Sequence, residues 1–277
     1  MNDFAGKVAW VAGAARRPGI GRAAAVQLAE RGADVACVDI VTPTPTDEES
    51  YRVSAEALDA TAAAVDATGR RVLTQAVELT DPDAVVDSVA ATVDAFGRVD
   101  VCCNLSGGTG PELGNGSLLK LDPASWAAAL DANLTTVWLG ARACARRMVE
   151  QGDGGAIVSL SSSAGVIGEP GFGAFSAARG GVLRLTEVLA TELAPHNIRA
   201  NAVCPLGVSP AAGGGNPGLE RGTAARRGTL DEWVRATIPL GRMQTPDETA
   251  AVIVFLASDA ASFVSGQAIT VAGGAHV

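Results

Sequence analysis

The sequence has few aromatic and few charged residues. Aromatic residues make up 4% of the 277 positions and charged residues 18%, against 48% hydrophobic residues. Ala, Val and Gly supply much of the apolar material, which suits helices packed closely against a parallel sheet better than an all-β sandwich. The length fits one large domain or two small ones.

Basic clusters and long apolar runs are also missing. The formal net charge is −9, and arginines occur at most as isolated pairs such as Arg146-Arg147. Because nucleic-acid binding requires a basic patch that releases counterions from phosphates, we expect no nucleic-acid partner. No apolar run reaches the roughly 18 residues of a membrane-spanning helix, and the N-terminus shows no signal-peptide pattern. We therefore expect a cytoplasmic protein without membrane contact.

The five cysteines show no spacing typical of a metal or disulfide site. They are Cys37, Cys102, Cys103, Cys144 and Cys204, all within apolar stretches and without a Cys-x-x-Cys pair. We interpret them as small core residues in a reducing compartment, and we expect no metal site.

Short apolar runs alternate with longer helical patterns along the whole chain. The predicted strands cover 7–12, 34–39, 71–76, 99–104, 156–160, 198–204 and 268–271. The main predicted helices cover 19–31, 47–68, 83–96, 123–150, 172–194 and 246–258. This alternation is typical of βαβ units. It predicts an α/β fold with one Rossmann-type, three-layer domain over 1–277, in which a seven-stranded parallel sheet carries helices on both faces.

A Gly-rich turn joins the first strand to the first helix. Gly13 ends the strand and Gly19-Ile20-Gly21 opens the helix, where backbone N–H groups can approach a pyrophosphate. Asp39 ends the second strand, where a carboxylate can accept hydrogen bonds from adenosine ribose hydroxyls and repel a 2′-phosphate. These features predict dinucleotide binding, with NAD favoured over NADP. Arg16 could reach a 2′-phosphate, or could simply belong to a solvated turn.

The same turn resembles the Thr-Gly-x-x-x-Gly-x-Gly motif of short-chain dehydrogenases/reductases. Here Ala12 replaces the Thr, and the spacer before Gly19 is two residues longer. Further matches run along nearly the whole chain, including Glu78-Leu79-Thr80-Asp81, Cys103-Asn104-Leu105-Ser106-Gly107, Pro239-Leu240-Gly241-Arg242 and Ser265-Gly266-Gln267.

The resemblance implies further cofactor contacts and an assembly. The residues at the matching places are Glu78, Leu79, Asn104, Ser106, Gly107, Pro205, Gly207 and Val208. The last three depart from the family's Pro-Gly pairing. The segment 206–236 would form a loop or lid on the substrate side. The long helices over 123–150 and 172–194 would pair in a tetramer or dimer.

The family's catalytic residues are only partly matched. By resemblance, Ser162 would hold the substrate oxygen, and Asn133 would anchor a water of a proton relay. The family's Tyr, 13 residues after the Ser, is Phe175 here, and its Lys, four residues later, is Arg179. Phe has no ionisable proton, and the pKa of Arg is too high for proton transfer, although Arg179 could still hold cofactor ribose hydroxyls. Tyr51, the only tyrosine, is far away in the sequence.

Two functions therefore stay open. The first is an enzyme acting on a small, fairly apolar molecule, either by redox chemistry with a substitute proton donor or by non-redox dehydration, isomerisation or cyclisation. Glu169, between Ser162 and Phe175, is one candidate for the substitute. The second is a catalytically silent cofactor-binding partner or regulatory subunit, because Tyr and Lys are both replaced. We favour the enzyme.

Overall fold

A seven-stranded parallel sheet forms the centre of the molecule. The computed structural model describes residues 3–16, 18–40, 53–209 and 228–276. The strands are β1 (Val8–Ala12), β2 (Asp34–Asp39), β3 (Val72–Ala76), β4 (Val101–Asn104), β5 (Gly155–Leu160), β6 (Ile198–Pro205) and β7 (Ala268–Val271). Every neighbouring pair is parallel, in the order β3-β2-β1-β4-β5-β6-β7. The predicted Rossmann-type α/β fold with seven parallel strands is confirmed.

Helices cover both faces of this sheet. They are α1 (Ile20–Glu30), α2 (Ala55–Asp66), α3 (Pro82–Phe96), α4 (Pro123–Leu130), α5 (Thr136–Gln151), α6 (Ser163–Val166), α7 (Gly173–Leu193), α8 (Leu230–Thr237) and α9 (Pro246–Ala257). Within the described ranges, none of these helices is long and apolar enough to cross a membrane. The predicted helix start at 47, Tyr51 and much of the predicted 206–236 loop fall outside the described residues.

The strands are buried because their side chains alternate between two apolar layers. In β1, Ala9 and Val11 belong to the layer that contains residues of α1, α2 and α9, whereas Trp10 and Ala12 belong to the layer that contains residues of α3, α5 and α7. This burial on both sides explains why the central strands read as continuous apolar runs. The edge strands β3 and β7 are partly exposed.

The chain leaves the centre of the sheet in two opposite directions. From β1 it continues to β2 on one side, and from β4 it continues to β5 on the other. The loops that follow β1 and β4 therefore diverge and leave a crevice at the carboxyl ends of these strands. Open α/β sheets bind ligands at this topological switch point.

The turn from β1 to α1 is closely packed. A Cβ added at Gly21 would lie 2.0 Å from the backbone oxygen of Gly13, and one added at Gly13 would lie 2.6 Å from the carbonyl carbon of Leu105. Gly13 also has a φ of 89°, a left-handed conformation that favours glycine. Both glycines are therefore required by the packing of the turn itself.

The helix predicted over 123–150 runs from Pro123 to Gln151 and contains one π-helical turn. A π-helical turn at Asp131–Thr135 separates α4 from α5. At this turn the buried side chain of Asn133 donates from Nδ2 to the carbonyl oxygens of Ala129 and Gly108, both at 3.0 Å. A π-helical turn contains one residue more than an α-helical turn. Because the apolar pattern continues across it, the helical period alone could not reveal this extra residue.

We expect Gly21→Ala to lower the free energy of unfolding by about 1–3 kcal/mol, the usual cost of overpacking. The added methyl group has to displace the Gly13 backbone rather than a flexible side chain. Chemical denaturation followed by circular dichroism measures the loss.

Gly168→Ala is the matched control, because a Cβ at Gly168 meets nothing within 4 Å. Its stability should stay within about 1 kcal/mol of the wild type. Equal losses in the two variants would contradict the packing argument.

Candidate active site

The predicted site residues come from many parts of the sequence but share one edge of the sheet. All strands of a parallel sheet end on the same side, so the turns after β1, β2, β4, β5 and β6 meet there. The crevice between β1 and β4 lies in the middle of this edge. The residues predicted for cofactor binding and those predicted for catalysis are therefore neighbours in the fold.

The start of α1 offers backbone donors at the crevice. Its N-cap residue Gly19 provides no side-chain cap, and the first turn, from Ile20, contains no acidic residue. By contrast, Asp81 caps α3 and Thr245 caps α9 through their side chains. Backbone N–H groups at the positive end of a helix suit a phosphate group.

Asp39 faces the turn after β1 from the end of β2. Its carboxylate accepts hydrogen bonds from the backbone N–H of Ala15 at 2.7 Å and of Ile40 at 2.9 Å. Burial raises the pKa of Asp39 to about 6, although these two N–H groups and the positive charge of Arg16 act in the opposite direction. Asp39 thus holds the turn in place and brings a carboxyl group to the crevice.

The other predicted cofactor contacts lie at different depths. Glu78 is exposed, and its Oε1 accepts hydrogen bonds from the backbone N and the Oγ1 of Thr80 at 3.2 and 2.6 Å. Leu79 belongs to the core, and Asn104 is buried with its Nδ2 3.5 Å from the Oγ of Ser159. Leu79 and Asn104 can therefore reach a ligand only through their backbone.

Ser162 lies at the end of β5, as the N-cap of α6. Its Oγ accepts a hydrogen bond from the backbone N of Ala164 at 3.2 Å. The neighbouring Ser161 donates from Oγ to the backbone oxygen of Arg179 at 2.8 Å. A Cβ at Gly165 would lie 2.7 Å from the carbonyl carbon of Arg179. The short helix α6 is therefore fixed against α7, and the half-buried Ser162 hydroxyl is held at this edge.

Arg179 is enclosed between the ends of β4 and β5. Its Nη1 donates to the carbonyl oxygen of Leu160, and its Nη2 donates to that of Ser106 at 3.2 Å. Burial lowers the pKa of Arg179 to about 10, so the guanidinium stays protonated at neutral pH. A Cβ at Gly107 would lie 2.5 Å from this Nη2, so only glycine leaves room for the side chain there. Both terminal nitrogens bind backbone carbonyls that the sequence pattern could not identify.

Phe175 lies one helical turn before Arg179 on α7. Its ring centroid is 5.4 Å from the Cζ of Arg179, and 6.4 Å from the ring of Phe172 in an edge-to-face arrangement. Both contacts are favourable for aromatic rings. The half-buried ring contributes apolar surface and no proton.

Glu169 and Asn133 make hydrogen bonds within different loops of the site. The backbone N of Glu169 donates to the Oγ of Ser176 at 3.4 Å, in the turn that precedes α7. The side chain of Asn133 binds the backbone of Gly108 instead: its Oδ1 accepts from the Gly108 N and its Nδ2 donates to the Gly108 O, each at 3.0 Å. Asn133 therefore fixes the loop after β4.

Gln244 is a residue that the sequence analysis missed. Its Nε2 donates to the carbonyl oxygens of Leu206 at 2.9 Å and Val271 at 2.6 Å, and its backbone N donates to Gly207 O at 3.0 Å. Gln244 also pairs with Val208 through a short parallel bridge. It thus anchors the segment after β6, but a single Gln outside any motif carries no sequence signal for this role.

Comparisons with known proteins agree with this geometry. Residues 13–276 match the family model described as enoyl-(acyl carrier protein) reductase. The chain is 35% identical over 275 residues to an NAD-dependent oxidoreductase of Mycobacterium tuberculosis, covering 98% of this chain and 96% of that protein. It is 37% identical over 275 residues to cyclohexanol dehydrogenase of Rhodococcus sp., covering 97% of this chain and 96% of that protein. The structure of carveol dehydrogenase from Mycobacterium avium in complex with NAD superposes with a TM-score of 0.87 at 32% identity, covering 99% of both chains.

The raised pKa of Asp39 predicts pH-dependent stability. The folded chain holds the carboxyl proton more tightly than an unfolded chain, whose Asp has a pKa near 3.8. The resulting stabilisation is present at low pH and is lost as the pH rises through about 6. The side chain of Asp39→Asn cannot titrate. Relative to this variant, the free energy of unfolding of the wild type should decrease by about 1 kcal/mol between about pH 5 and about pH 7.5.

Urea denaturation at each pH measures this difference. Asp59→Asn, at an exposed position of α2, controls for the loss of one charge. Parallel stability curves for the wild type and Asp39→Asn would show that Asp39 keeps an ordinary pKa.

Proposed function

The chain belongs to the short-chain dehydrogenase/reductase family of NAD-dependent oxidoreductases, and we propose that it oxidises an alcohol or reduces a ketone on a small, fairly apolar molecule. The observation that carries the proposal is the crevice between β1 and β4. There the uncapped start of α1 and the carboxylate of Asp39 lie at the same edge as the Ser162 hydroxyl. Non-redox chemistry has less support, because the relatives above bear the names of oxidoreductases and dehydrogenases.

NAD fits the groups that the crevice presents. The backbone N–H groups at the start of α1 suit a pyrophosphate, and Asp39 suits the adenosine ribose while opposing a 2′-phosphate. NAD is therefore proposed ahead of NADP. The residues that would surround it are Gly13, Arg16, Gly19, Ile20, Gly21, Asp39, Glu78, Leu79, Asn104, Ser106, Gly107, Pro205, Gly207 and Val208. When bound, NAD supplies the hydride acceptor or donor.

Apolar side chains around α6 and α7 support an uncharged substrate. Phe172 and Phe175 form an aromatic pair at the start of α7. Val166 and Ile167, at the end of α6, are 40% and 46% exposed, and a Cβ at Gly173 would lie 2.5 Å from the side chain of Leu118. We assign the substrate class as cyclic secondary alcohols and ketones, in keeping with the names of the cyclohexanol and carveol dehydrogenases. The Trp233 ring of α8 packs beside Gly207. We propose that the segment 206–236, of which residues 210–227 lie outside the described residues, contributes to the substrate side.

The proton that is transferred to or from the substrate oxygen has to be exchanged by a group other than a phenol. Ser162 would donate a hydrogen bond to the substrate oxygen, and the half-buried Glu169 or a water molecule would exchange the proton. Phe175 would serve as apolar wall, and Arg179 would hold the loops around the site. A catalytically silent cofactor-binding subunit is the second candidate, and it is favoured by the same absence of a phenol at Phe175.

Two measurements decide between these functions. Calorimetric titration with NAD⁺, NADH, NADP⁺ and NADPH measures binding, and NADH formation with a panel of cyclic alcohols measures turnover. Binding of NAD(H) with a Kd near 1 μM, about −8 kcal/mol, together with turnover supports the proposed enzyme. Binding without turnover on any substrate would favour the silent subunit, and no binding of any nucleotide would reject both.

We expect Phe175→Tyr to increase turnover of cyclic alcohols by about 10²-fold or more, the usual contribution of a general acid–base group. The nearby Arg179 guanidinium would lower the pKa of the new phenol. Initial rates between about pH 6 and about pH 10 test both effects. The activity of Phe175→Tyr should rise in the alkaline range as the new phenol ionises.

Phe172→Tyr is the matched control, because it adds the same hydroxyl to the other ring of the pair. It should leave turnover within about threefold of the wild type. Equal gains in both variants would contradict the place that we assign to Phe175.

We propose a homo-oligomer that forms through α5 and α7, as a dimer or tetramer. Trp138 and Val188 are 45% and 52% exposed on these helices, and Arg142 stacks on the Trp138 ring with its Cζ 5.8 Å from the centroid. A groove between the two helices is lined by Trp138, Arg142, Val149, Leu189 and Leu193, among others. The groove also contains Arg146, Glu150 and Glu192, so it combines apolar side chains with charges of both signs, and a second copy of this chain is the partner that such a face suits.

Sedimentation velocity of Trp138→Glu should show a shift toward monomer, because a buried carboxylate opposes association. Val86→Glu, at an exposed position of α3, is the control and should sediment like the wild type. A wild-type protein that is monomeric at micromolar concentration would refute the assembly.

A further inference from the structure

Gln244 joins the segment that follows β6 to the last strand of the sheet. Its Nε2 donates to the carbonyl oxygen of Leu206 at 2.9 Å and to that of Val271, at the end of β7, at 2.6 Å. The buried Thr249 of α9 donates from Oγ1 to the Oε1 of Gln244 at 2.6 Å, which fixes the end of the amide that faces the two carbonyls. One side chain therefore connects β6, β7 and α9.

The backbone of Gln244 fixes the orientation of Val208. In the short parallel bridge between them, the Gln244 N donates to the carbonyl oxygen of Gly207 at 3.0 Å, and the Ser209 N donates to the Gln244 O at 2.8 Å. The C=O and N–H of one trans peptide group point in opposite directions, so the N–H and C=O of Val208 both face away from Gln244. Because β6 stands between β7 and β5, they face the side of Ser162, at the end of β5.

Apolar packing holds the same segment but does not orient its peptide groups. A Cβ at Gly207 would lie 3.0 Å from the Cδ1 of Ile238 and 3.3 Å from the Trp233 ring, and Leu206 packs against the same apolar cluster. Such contacts are non-directional, so they restrict where the segment lies and not which way its N–H and C=O groups point. The hydrogen bonds of Gln244 set that direction.

The proposed cofactor would extend across the crevice toward these groups of Val208. Asp39, at the end of β2, suits the adenosine ribose, and Ser162, at the end of β5, suits the reacting oxygen of the substrate. The nicotinamide end therefore belongs on the β5 side of the crevice. Its carboxamide offers N–H donors and a carbonyl acceptor, and the N–H and C=O of one residue complement both.

We propose that Gln244 is a positioning residue for the cofactor. By holding the peptide groups on both sides of Val208, it directs the N–H and C=O of Val208 to the carboxamide and so orients the nicotinamide ring. This inference rests on the proposed binding of NAD. A Gln suits the role because its amide donates to two carbonyl oxygens while it accepts from Thr249, whereas a Glu would place a carboxylate oxygen against those carbonyls.

Calorimetric titration of Gln244→Glu with NAD⁺ and ADP-ribose tests the proposal without any turnover. Only NAD⁺ contains the nicotinamide ring, so its Kd should rise about 10-fold, the usual effect of losing one or two hydrogen bonds. The Kd for ADP-ribose should stay within about twofold of the wild-type value.

Two further variants keep the test decisive if Gln244→Glu does not fold. Gln244→Met loses both donors without adding a charge. Thr249→Val removes the hydroxyl that orients the amide and leaves Gln244 in place. Each should weaken the binding of NAD⁺ by about 3-fold, and neither should change the Kd for ADP-ribose.

Gln151→Glu is the matched control. Gln151 binds the backbone N and O of Val99, both at 2.9 Å, at the opposite edge of the sheet, before β4. The control should lower the thermal midpoint, as the loss of two hydrogen bonds does, but it should bind both ligands like the wild type. A change in stability alone therefore does not reproduce the effect expected at Gln244.

Equal weakening of NAD⁺ and ADP-ribose would overturn the proposal and limit Gln244 to the stability of the sheet edge. Unchanged affinity for both ligands in the variants at Gln244 and Thr249 would also overturn it. Both results leave the NAD⁺ affinity of the wild type intact, so the proposed function survives them. A wild type that binds neither ligand would reject the proposed function and this inference with it.

Discussion

The buried guanidinium of Arg179 holds the candidate site together. A charge that is removed from water destabilises the fold unless hydrogen bonds replace its hydration. Here the carbonyl oxygens of Leu160 and Ser106 accept from its two terminal nitrogens, which joins the end of β5 to the loop after β4. Gly107 makes room for the side chain, and Ser161 binds the backbone of Arg179 from the other side. Arg179 thus contacts the end of β5, the loop after β4 and the Phe175 ring at once.

The same arrangement shows how the fold accommodates Phe175 and Arg179 on α7. In the family, a Tyr and a Lys at these two places transfer the proton and hold the cofactor ribose. With Phe175 and Arg179 the pair becomes a cation stacked near an aromatic ring, which is favourable for stability but cannot transfer a proton at neutral pH. Phe172 packs edge-to-face against Phe175, and Ile167 at the end of α6 is exposed. The nucleotide side, with Asp39 and the start of α1, keeps its polar groups.

Much of the fold follows from local pattern. The strands are marked by apolar runs, and the turn from β1 to α1 is marked by glycines that packing requires at Gly13 and Gly21. The π-helical turn at Asp131–Thr135 is a feature that the local pattern does not predict. Asn133 is bound to Gly108, 25 residues earlier, and its π-helical turn interrupts a helix whose apolar period continues unbroken. Local periodicity contains no information about such a partner.

The sequence by itself determined the α/β class, the parallel sheet, the dinucleotide signal at Gly19-Ile20-Gly21 and Asp39, and the absence of Tyr and Lys at Phe175 and Arg179. These features depend on residue type and spacing, which chain stereochemistry converts directly into strands, turns and helix faces. Only the tertiary structure decided that Arg179 binds carbonyl oxygens, that Asn104 is buried, and that Arg16 extends toward Gly108. The direction of a long polar side chain is set by acceptors and charges on other strands, and these come together only when the sheet has formed.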